Sequence, residues 1–473
     1  MKTNLTFLAA CLAGLASLAG GAQPVGATPP ASAASASTSS TGDLDHASTV
    51  LARRFGDGSA LRTPYKPRLS QAERVAGLSR IWSVARAGFA WFDHAPALDW
   101  DRAYLEALPR VIAARDTDAY YRELVRFTAL LQDGHSNAYM PEQVAPRWHA
   151  RPGLRTQLVD GHVLVTRLMD ATLAARGVRI GDELLAIAGV AVKTYAAARV
   201  APFQSSSTPQ DLAVRTYEYA LLSGDEKHAV RLELAHADGS RLRVDAKRRL
   251  ARWPGGAAAQ SFELRPDGVA VIRASEFEDS AAPDLFEQHI DEVMSAKALV
   301  IDLRHNGGGD SRMGLRILAW LQDAPLPSMR SRVRVDTPFM QAVAQDGSWP
   351  LWQAQDDEPV VLPHAQTFRG PVAMLVDAGT FSAGEDTAAA FRWMHRGPML
   401  GTPTGGSTGQ PLRFALPGGG QARICVKRDT YPDGSDFVGK GVQPDVVVPL
   451  GVDDLRSGAD PVMARAVAAL LAK

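Results

Sequence analysis

Hydrophobic positions divide the chain into three stretches of different period. Between residues 70 and 131 they recur at three- and four-residue intervals. Val75, Leu78, Trp82, Ala85 and Phe89 line one helical face, opened by Ser70 with Glu73 three residues on, the pattern of a capping box. Asp99 precedes Trp100, Tyr104 and Leu108 as the cap of a second helix. A third carries Tyr120, Leu124, Phe127 and Leu131 and stops at Asp133-Gly134-His135-Ser136, where glycine ends helices. The aromatics on these faces read as core. From about Gly153 to Arg249 the pattern shifts to short alternating strands, His162 to Leu168 among them, with a helix expected from Gln204 to Leu222. From about Phe262 to Leu450 the compact apolar runs Val269 to Ile272, Ala298 to Leu303 and Val372 to Val376 each lead into a turn and a helical pattern. Uninterrupted apolar strands are what a sheet covered by helices requires. Pro461 to Leu471 closes the chain as a helix.

Within the second stretch, the Gly181-Asp182 turn, the strand Leu184-Leu185-Ala186-Ile187 and the Gly189 turn resemble a PDZ module. That resemblance implies a sheet edge able to take an extended peptide end. A chain of 473 residues exceeds one ordinary domain. The expected organisation is multidomain α/β: a signal peptide over 1–22, a flexible linker over 23–43, a helical region over 44–150, the PDZ-like β-rich module over 151–250 and an α/β core over 260–473.

Composition adds three constraints. Lys plus Arg and Asp plus Glu both number 51, so the formal charge is zero and gives no electrostatic footprint for nucleic acid. Lys2, the apolar stretch Leu5 to Ala19 and Gly20-Gly21-Ala22 read as a secretory signal peptide, too short to span a membrane. Cleavage is expected after Ala22, with Ala27 the second choice. Leu8-Ala9-Ala10-Cys11 also spells a lipoprotein-processing box, although the apolar segment before Cys11 is short for one. Export to a periplasm or the medium, without a lipid anchor, is the expectation. Gln23 to Thr41 lacks large apolar residues and reads as a tether. Once Cys11 leaves, Cys425 is the sole cysteine, so no internal disulfide can form. It lies in the alternating segment Ala422 to Val426 and reads as a packed strand residue. The 11 histidines are scattered without ligand spacing, so neither metal nor other cofactor is expected.

Two segments invite chemistry. In Val376-Asp377-Ala378-Gly379-Thr380-Phe381-Ser382-Ala383-Gly384-Glu385 a buried strand ends and Ser382 opens a helix. A serine raised at such a turn stands among unpaired helix amides that can bind a developing oxyanion. The competing reading is plain: Ser382 and Glu385 also make a good capping box. In Val300-Ile301-Asp302-Leu303-Arg304-His305-Asn306-Gly307-Gly308-Gly309 a strand runs into three glycines, whose amides can form an anion-binding nest. No Gly-Lys-Ser/Thr follows, which disfavours a nucleotide loop. In isolation a plain tight turn is the better explanation of the segment.

Taken together, these segments resemble the tail-specific, carboxy-terminal-processing serine peptidase family. The matching phrases are Asp-Leu-Arg-x-Asn-x-Gly-Gly at 302–309, Thr-x-Ser-Ala-Gly-Glu at 380–385 and Gly-Val-x-Pro-Asp at 441–445. Asp133-Gly134-His135-Ser136 resembles a phrase of the tricorn-like branch. The resemblance implies a crotonase-like core, Ser382 as nucleophile, His135 as general base, and an oxyanion hole from the backbone amides of Gly308 and Ala383. Polypeptides are the implied substrates, hydrolysed through an acyl-serine intermediate. The alternatives are a weakly catalytic or non-catalytic protein on the same fold, binding a hydrophobic ligand or peptide, and a PDZ-type scaffold.

The chain departs from the family pattern twice. Many members place a catalytic lysine in Thr-x-Gly-Lys-Gly, and the corresponding stretch here, Thr404 to Gln410, has none. The tricorn-like branch orients its histidine with a serine just before it and a glutamate. Here the serine's place is Gly134, and Val438 and Lys440 occupy the glutamate's region. Glu385 and Asp133 are the candidate orienting acids, and Lys440 a candidate substitute base.

Overall fold

The computed structural model describes residues 59–250, 260–326, 329–335, 337–343, 351–355, 364 and 366–472. The expected signal peptide, the linker and Cys11 lie outside these residues. Three helices come first: α1 (Gln71–Gly88), α2 (Trp100–Ala113) and α3 (Thr117–Ala129). The capping box of α1 closes, with Ser70 Oγ accepting from Glu73 N at 3.2 Å and Glu73 accepting from Ser70 N at 2.9 Å. Asp99 caps α2 through Arg102 N, and Asp116 caps α3 through Ala119 N. Leu78, Ile81, Phe89, Trp100 and Phe127 are buried on the inward faces, Trp100 stacking on Phe127 with centroids 4.3 Å apart. A short strand, β1 (Asn137–Tyr139), follows.

The middle of the chain builds an antiparallel sheet from β2 (Leu154–Val159), β3 (His162–Leu168), β4 (Glu183–Ile187), β5 (Val230–Ala235) and β6 (Arg241–Ala246), hydrogen-bonded in that order. Val190–Ala191 adds a short strand to β4. The alternation seen in the sequence buries Val165, Ile187, Leu232, Leu234 and Val244 in a core that also takes in Leu173, Val192, Ala196 and Leu221. Two helices sit between β4 and β5: α4 (Val192–Arg199) and α5 (Pro209–Ala213), the latter continuing as a π-helix over Val214–Ala220. The helix expected from Gln204 therefore starts later. Thr208 caps it through Asp211 N and Pro209 takes the first position, while Ser205 Oγ donates to the carbonyl of Asp133 at 2.8 Å.

The remainder is a mixed α/β assembly. Its elements are β7 (Gln260–Leu264), β8 (Val269–Ala274), α6 (Ala281–Gln288), β9 (Ala298–Asp302), α7 (Ser311–Leu318), β10 (Arg330–Val335), β11 (Leu351–Gln355), β12 (Val372–Val376), α8 (Ala383–Met394), β13 (Met399–Gly401), β14 (Pro411–Ala415), β15 (Gln421–Cys425), β16 (Lys427–Thr430), β17 (Val446–Val447) and α9 (Pro461–Leu471). Six strands form one sheet in the order β17-β13-β12-β9-β8-β7, parallel except for β7. Every residue of β9 and β12 is buried, which accounts for their unbroken apolar runs. One face, through Ile272, Ile301 and Met374, shares a continuous core with the N-terminal helices and with α6, α7 and α8. The other face packs Val300, Ala373 and Leu375 against Val462, Ala466 and Leu470 of α9. Two further three-stranded sheets, β1-β15-β14 and β11-β10-β16, flank this assembly. Cys425 is buried on β15, and burial pushes its thiol well up. No described helix is long and apolar enough to cross a membrane.

Candidate active site

Ser382 stands between the end of β12 and the start of α8, in a backbone conformation that few side chains adopt, φ 56° and ψ −123°. A non-glycine residue held there stores about 1–3 kcal/mol of strain, which the surroundings must impose. They do so through backbone bonds. Phe381 N donates to Asn306 O at 2.8 Å and Ser382 N to Ser407 O at 3.1 Å. The capping-box alternative is not formed, because Ser382 makes no side-chain cap. Its Oγ lies instead 2.9 Å from His135 Nε2.

His135 reaches this point from 247 residues away in sequence. Helix α3 ends, Gln132 turns at φ 50°, and β1 then pairs Asn137 with Arg423 of β15. Asp133 fixes the turn, its Oδ2 accepting from Ser136 Oγ at 2.6 Å, and Cys425 N donates to that same Ser136 oxygen at 3.0 Å. The imidazole lies flat on Phe381, centroids 4.8 Å apart and planes 6° from parallel. It is 3% exposed, and burial, followed by the charges of Arg423, Arg215 and Arg413, holds its pKa well below the usual histidine value. Burial and these charges therefore favour the neutral imidazole.

Its far nitrogen answers which group orients it. His135 Nδ1 is 2.8 Å from Ser407 Oγ, and Ser407 Oγ is in turn 3.5 Å from Asp133 Oδ1. Glu385, fully buried, touches neither His135 nor the Ser382 hydroxyl. It accepts from Thr404 Oγ1 at 2.5 Å, Gly406 N at 2.6 Å and Ser407 N at 2.7 Å, and so fixes the loop that carries Ser407. Burial pushes the Glu385 carboxyl up to about 7 against those three hydrogen bonds. Burial likewise raises the pKa of Asp133. Lys440 makes no hydrogen bond to Ser382 or His135. Its backbone carbonyl accepts from Gln210 Nε2 at 2.9 Å.

Ser407 is the residue that sequence reading missed. It was legible in one respect: laid on Thr404-x-Gly406, the family phrase puts Ser407 where other members carry the lysine. Gly134 explains the second departure. A Cβ there would fall 2.9 Å from the Phe381 ring and 2.9 Å from Ser407 Oγ, so a serine before the histidine has no room. The hydroxyl comes from the other side.

Gly308 and Ala383 lie together against the serine. Gly308 has φ 96°, and a Cβ there would meet Ser382 Cβ at 2.6 Å and Ala383 N at 3.2 Å. Gly308 N donates to Asn306 Oδ1 at 2.9 Å. Among the described residues no group of three or more His, Cys, Asp or Glu is placed to hold a metal ion.

A serine held at a strained strand-to-helix turn, a buried imidazole 2.9 Å from its hydroxyl and a glycine-lined helix start are the arrangement of a serine-type hydrolase. Residues 268–448 match Peptidase family S41. Over 411 residues it is 26% identical to tricorn protease homolog 1 of Streptomyces coelicolor, covering 81% of this chain and 34% of that one. It is 23% identical to carboxyl-terminal-processing peptidase 3, chloroplastic, of Arabidopsis thaliana, covering 82% of this chain and 72% of the relative. The chain thus spans about a third of the length of the first relative and nearly three quarters of the second. Among solved structures, mature CPAF complexed with lactacystin superimposes with a TM-score of 0.61 at 15% identity, covering 82% of this chain and 95% of that one, a likeness of fold.

Proposed function

We propose that the protein is an exported serine endopeptidase, cleaving unfolded or carboxy-terminal polypeptide segments through an acyl-serine intermediate. The observation that carries this reading is the 2.9 Å contact between Ser382 Oγ and His135 Nε2 in a strained, buried setting. Ser407 Oγ accepts the Nδ1 proton of His135 and donates its own toward Asp133. That fixes the tautomer whose Nε2 lone pair faces Ser382. His135 removes the serine proton as Oγ attacks the scissile carbonyl, then returns it to the leaving amine, and water repeats the sequence to free the acid. The amides of Ala383 and Gly308 hold the developing oxyanion, which joins Asn306 Oδ1 as a second acceptor at Gly308. Glu385 is a positioning residue, acting through the amides of Gly406 and Ser407.

The same reading assigns the chain to the tricorn-like branch, with a PDZ-like module over 151–250 and a crotonase-like core over 260–473. Support comes from the sheet of residues 154–246 with its own core and from the serine standing in the lysine's place. Export rests on the signal-like residues 1–22. The test is labelling of Ser382 by a fluorophosphonate, together with hydrolysis of a denatured polypeptide by wild type, Ser382→Ala and His135→Ala. Loss of turnover in both variants, with unchanged circular dichroism, is expected. Full turnover in either one ends the assignment.

A further inference from the structure

Between α3, β1, α4 and the π-helical segment lies a cavity of about 580 Å³. Seven arginines line it against one carboxylate, Asp225, which is itself 3.0 Å from His228 Nδ1. In a chain of zero formal charge this is a strong local concentration. Two of the seven are neutralised: Arg147 pairs with Asp118 at 3.1 Å and Arg215 with Asp211 at 2.7 Å. Arg122, Arg199, Arg248 and Arg423 make no ion pair with any described carboxylate. Arg248 is held by neutral acceptors only, the carbonyls of Leu222 at 2.9 Å and His228 at 3.2 Å. Arg122 lies between the rings of Trp148 and Phe203, 4.7 Å from each centroid. Burial lowers the pKa of Arg248 and Arg423, as it does for partly desolvated cations that lack a counter-ion.

Two of the lining arginines touch the turn that carries His135. Arg423 and Arg215 both donate to the carbonyl of Gly134, at 3.1 Å and 3.5 Å, one residue before His135. Like charges gathered in a partly desolvated wall repel one another, and a bound anion relieves that repulsion. Arginine forks with tyrosine edges suit carboxylates in particular. We infer that this cavity is a subsite for acidic side chains of the polypeptide substrate, so that Asp or Glu near the scissile bond directs cleavage. The inference rests on the peptidase reading above. The same carboxylate chemistry is offered by a chain's own C-terminus, and the experiment separates the two sources.

Fluorogenic peptides differing only by Glu or Gln at successive positions around the scissile bond are compared. The wild type should favour one Glu peptide by at least about tenfold in kcat/KM, the effect of one charge-assisted contact. That preference should fall to parity in Arg122→Gln and Arg248→Gln, persist in Arg122→Lys, and leave turnover of the Gln peptide unchanged. Fluorescence anisotropy of the same labelled peptides on Ser382→Ala provides a readout independent of catalysis. If the Glu peptide binds tighter there while wild type cleaves neither, the subsite stands and the peptidase reading fails. Equal binding of the Glu and Gln peptides overturns the subsite, as does a preference that both arginine-to-glutamine variants retain. Binding abolished by amidating the peptide's C-terminus, and equal for the Glu and Gln peptides, overturns the side-chain assignment in favour of chain ends.

Discussion

Replacing Ser407 by alanine removes one oxygen from the line Asp133, Ser407, His135, Ser382 and leaves its ends in place. His135 Nδ1 then loses its partner at 2.8 Å in a site where the ring is 3% exposed. A buried donor without an acceptor costs about 1–3 kcal/mol, and the neutral ring escapes that cost by moving its proton to Nε2. In that tautomer the nitrogen facing Ser382 is a donor, and the base is gone. As the imidazolium forms, the missing charge-assisted hydrogen bond is worth about 1.5–3 kcal/mol, so kcat falls about ten- to a hundredfold with KM little changed. Two rates report this: single-turnover cleavage of a fluorogenic peptide and second-order labelling by a fluorophosphonate, with the thermal melt as a control for folding. Because Asp133 acts through Ser407, the double variant Ser407→Ala/Asp133→Asn should be no slower than Ser407→Ala alone. Rates for Ser407→Ala within twofold of wild type would refute the orientation assigned to His135.

Four further outcomes are expected. With His135 held neutral by burial and three arginines, the acid limb of kcat/KM should lie below pH 6.5, and any limb near pH 7 should belong to Glu385 and vanish in Glu385→Gln. A limb at 6.5 or above that survives Glu385→Gln contradicts this. His305 bridges Asp377 on the loop before Ser382 and Glu218 of the π-helical segment, and Asp377 chiefly raises its pKa well above 6.5. Its stabilising contribution is therefore complete below pH 6.5 and lost as pH rises through the raised value, so His305→Gln should flatten the decline of Tm on the alkaline side. A decline as steep as that of wild type is the contrary result. In Gly309→Ala a Cβ would stand 2.2 Å from the backbone of Phe277 at φ 136°, and overpacking plus strain should destabilise the fold by at least about 2 kcal/mol in urea titration. A change below half of that refutes the packing argument. In a chain with Cys11→Ser, the buried Cys425 should react with a thiol reagent only on unfolding, so rapid native labelling would show the strand to be open.

Local rules carried much of the fold. Caps at Ser70 and Asp99, the period of α1 and α3, and the apolar runs of β8, β9 and β12 depend on neighbours within a few residues and were legible directly. The sheets β1-β15-β14 and β11-β10-β16 were not, because their strands pair residues as far apart as Asn137 and Arg423. The same division runs through the site. Ser382 and the glycine run stood out on local grounds, but a helix cap and a tight turn explained them as well, and the roles of Ser382, Gly308 and Ala383 came with the family phrases. His135 needed the family phrase. Its partner was beyond any local rule: Glu385, three residues from Ser382, suggested itself by sequence proximity, yet its carboxylate turns to the Gly406 and Ser407 amides. Ser407, 272 residues from His135, is what touches the ring. Sequence determined which groups exist and the turns that present them. Only tertiary packing, by closing Gly134 against Phe381 and Ser407, decided which hydroxyl reaches the imidazole, because hydrogen bonding depends on distances that chain order does not encode.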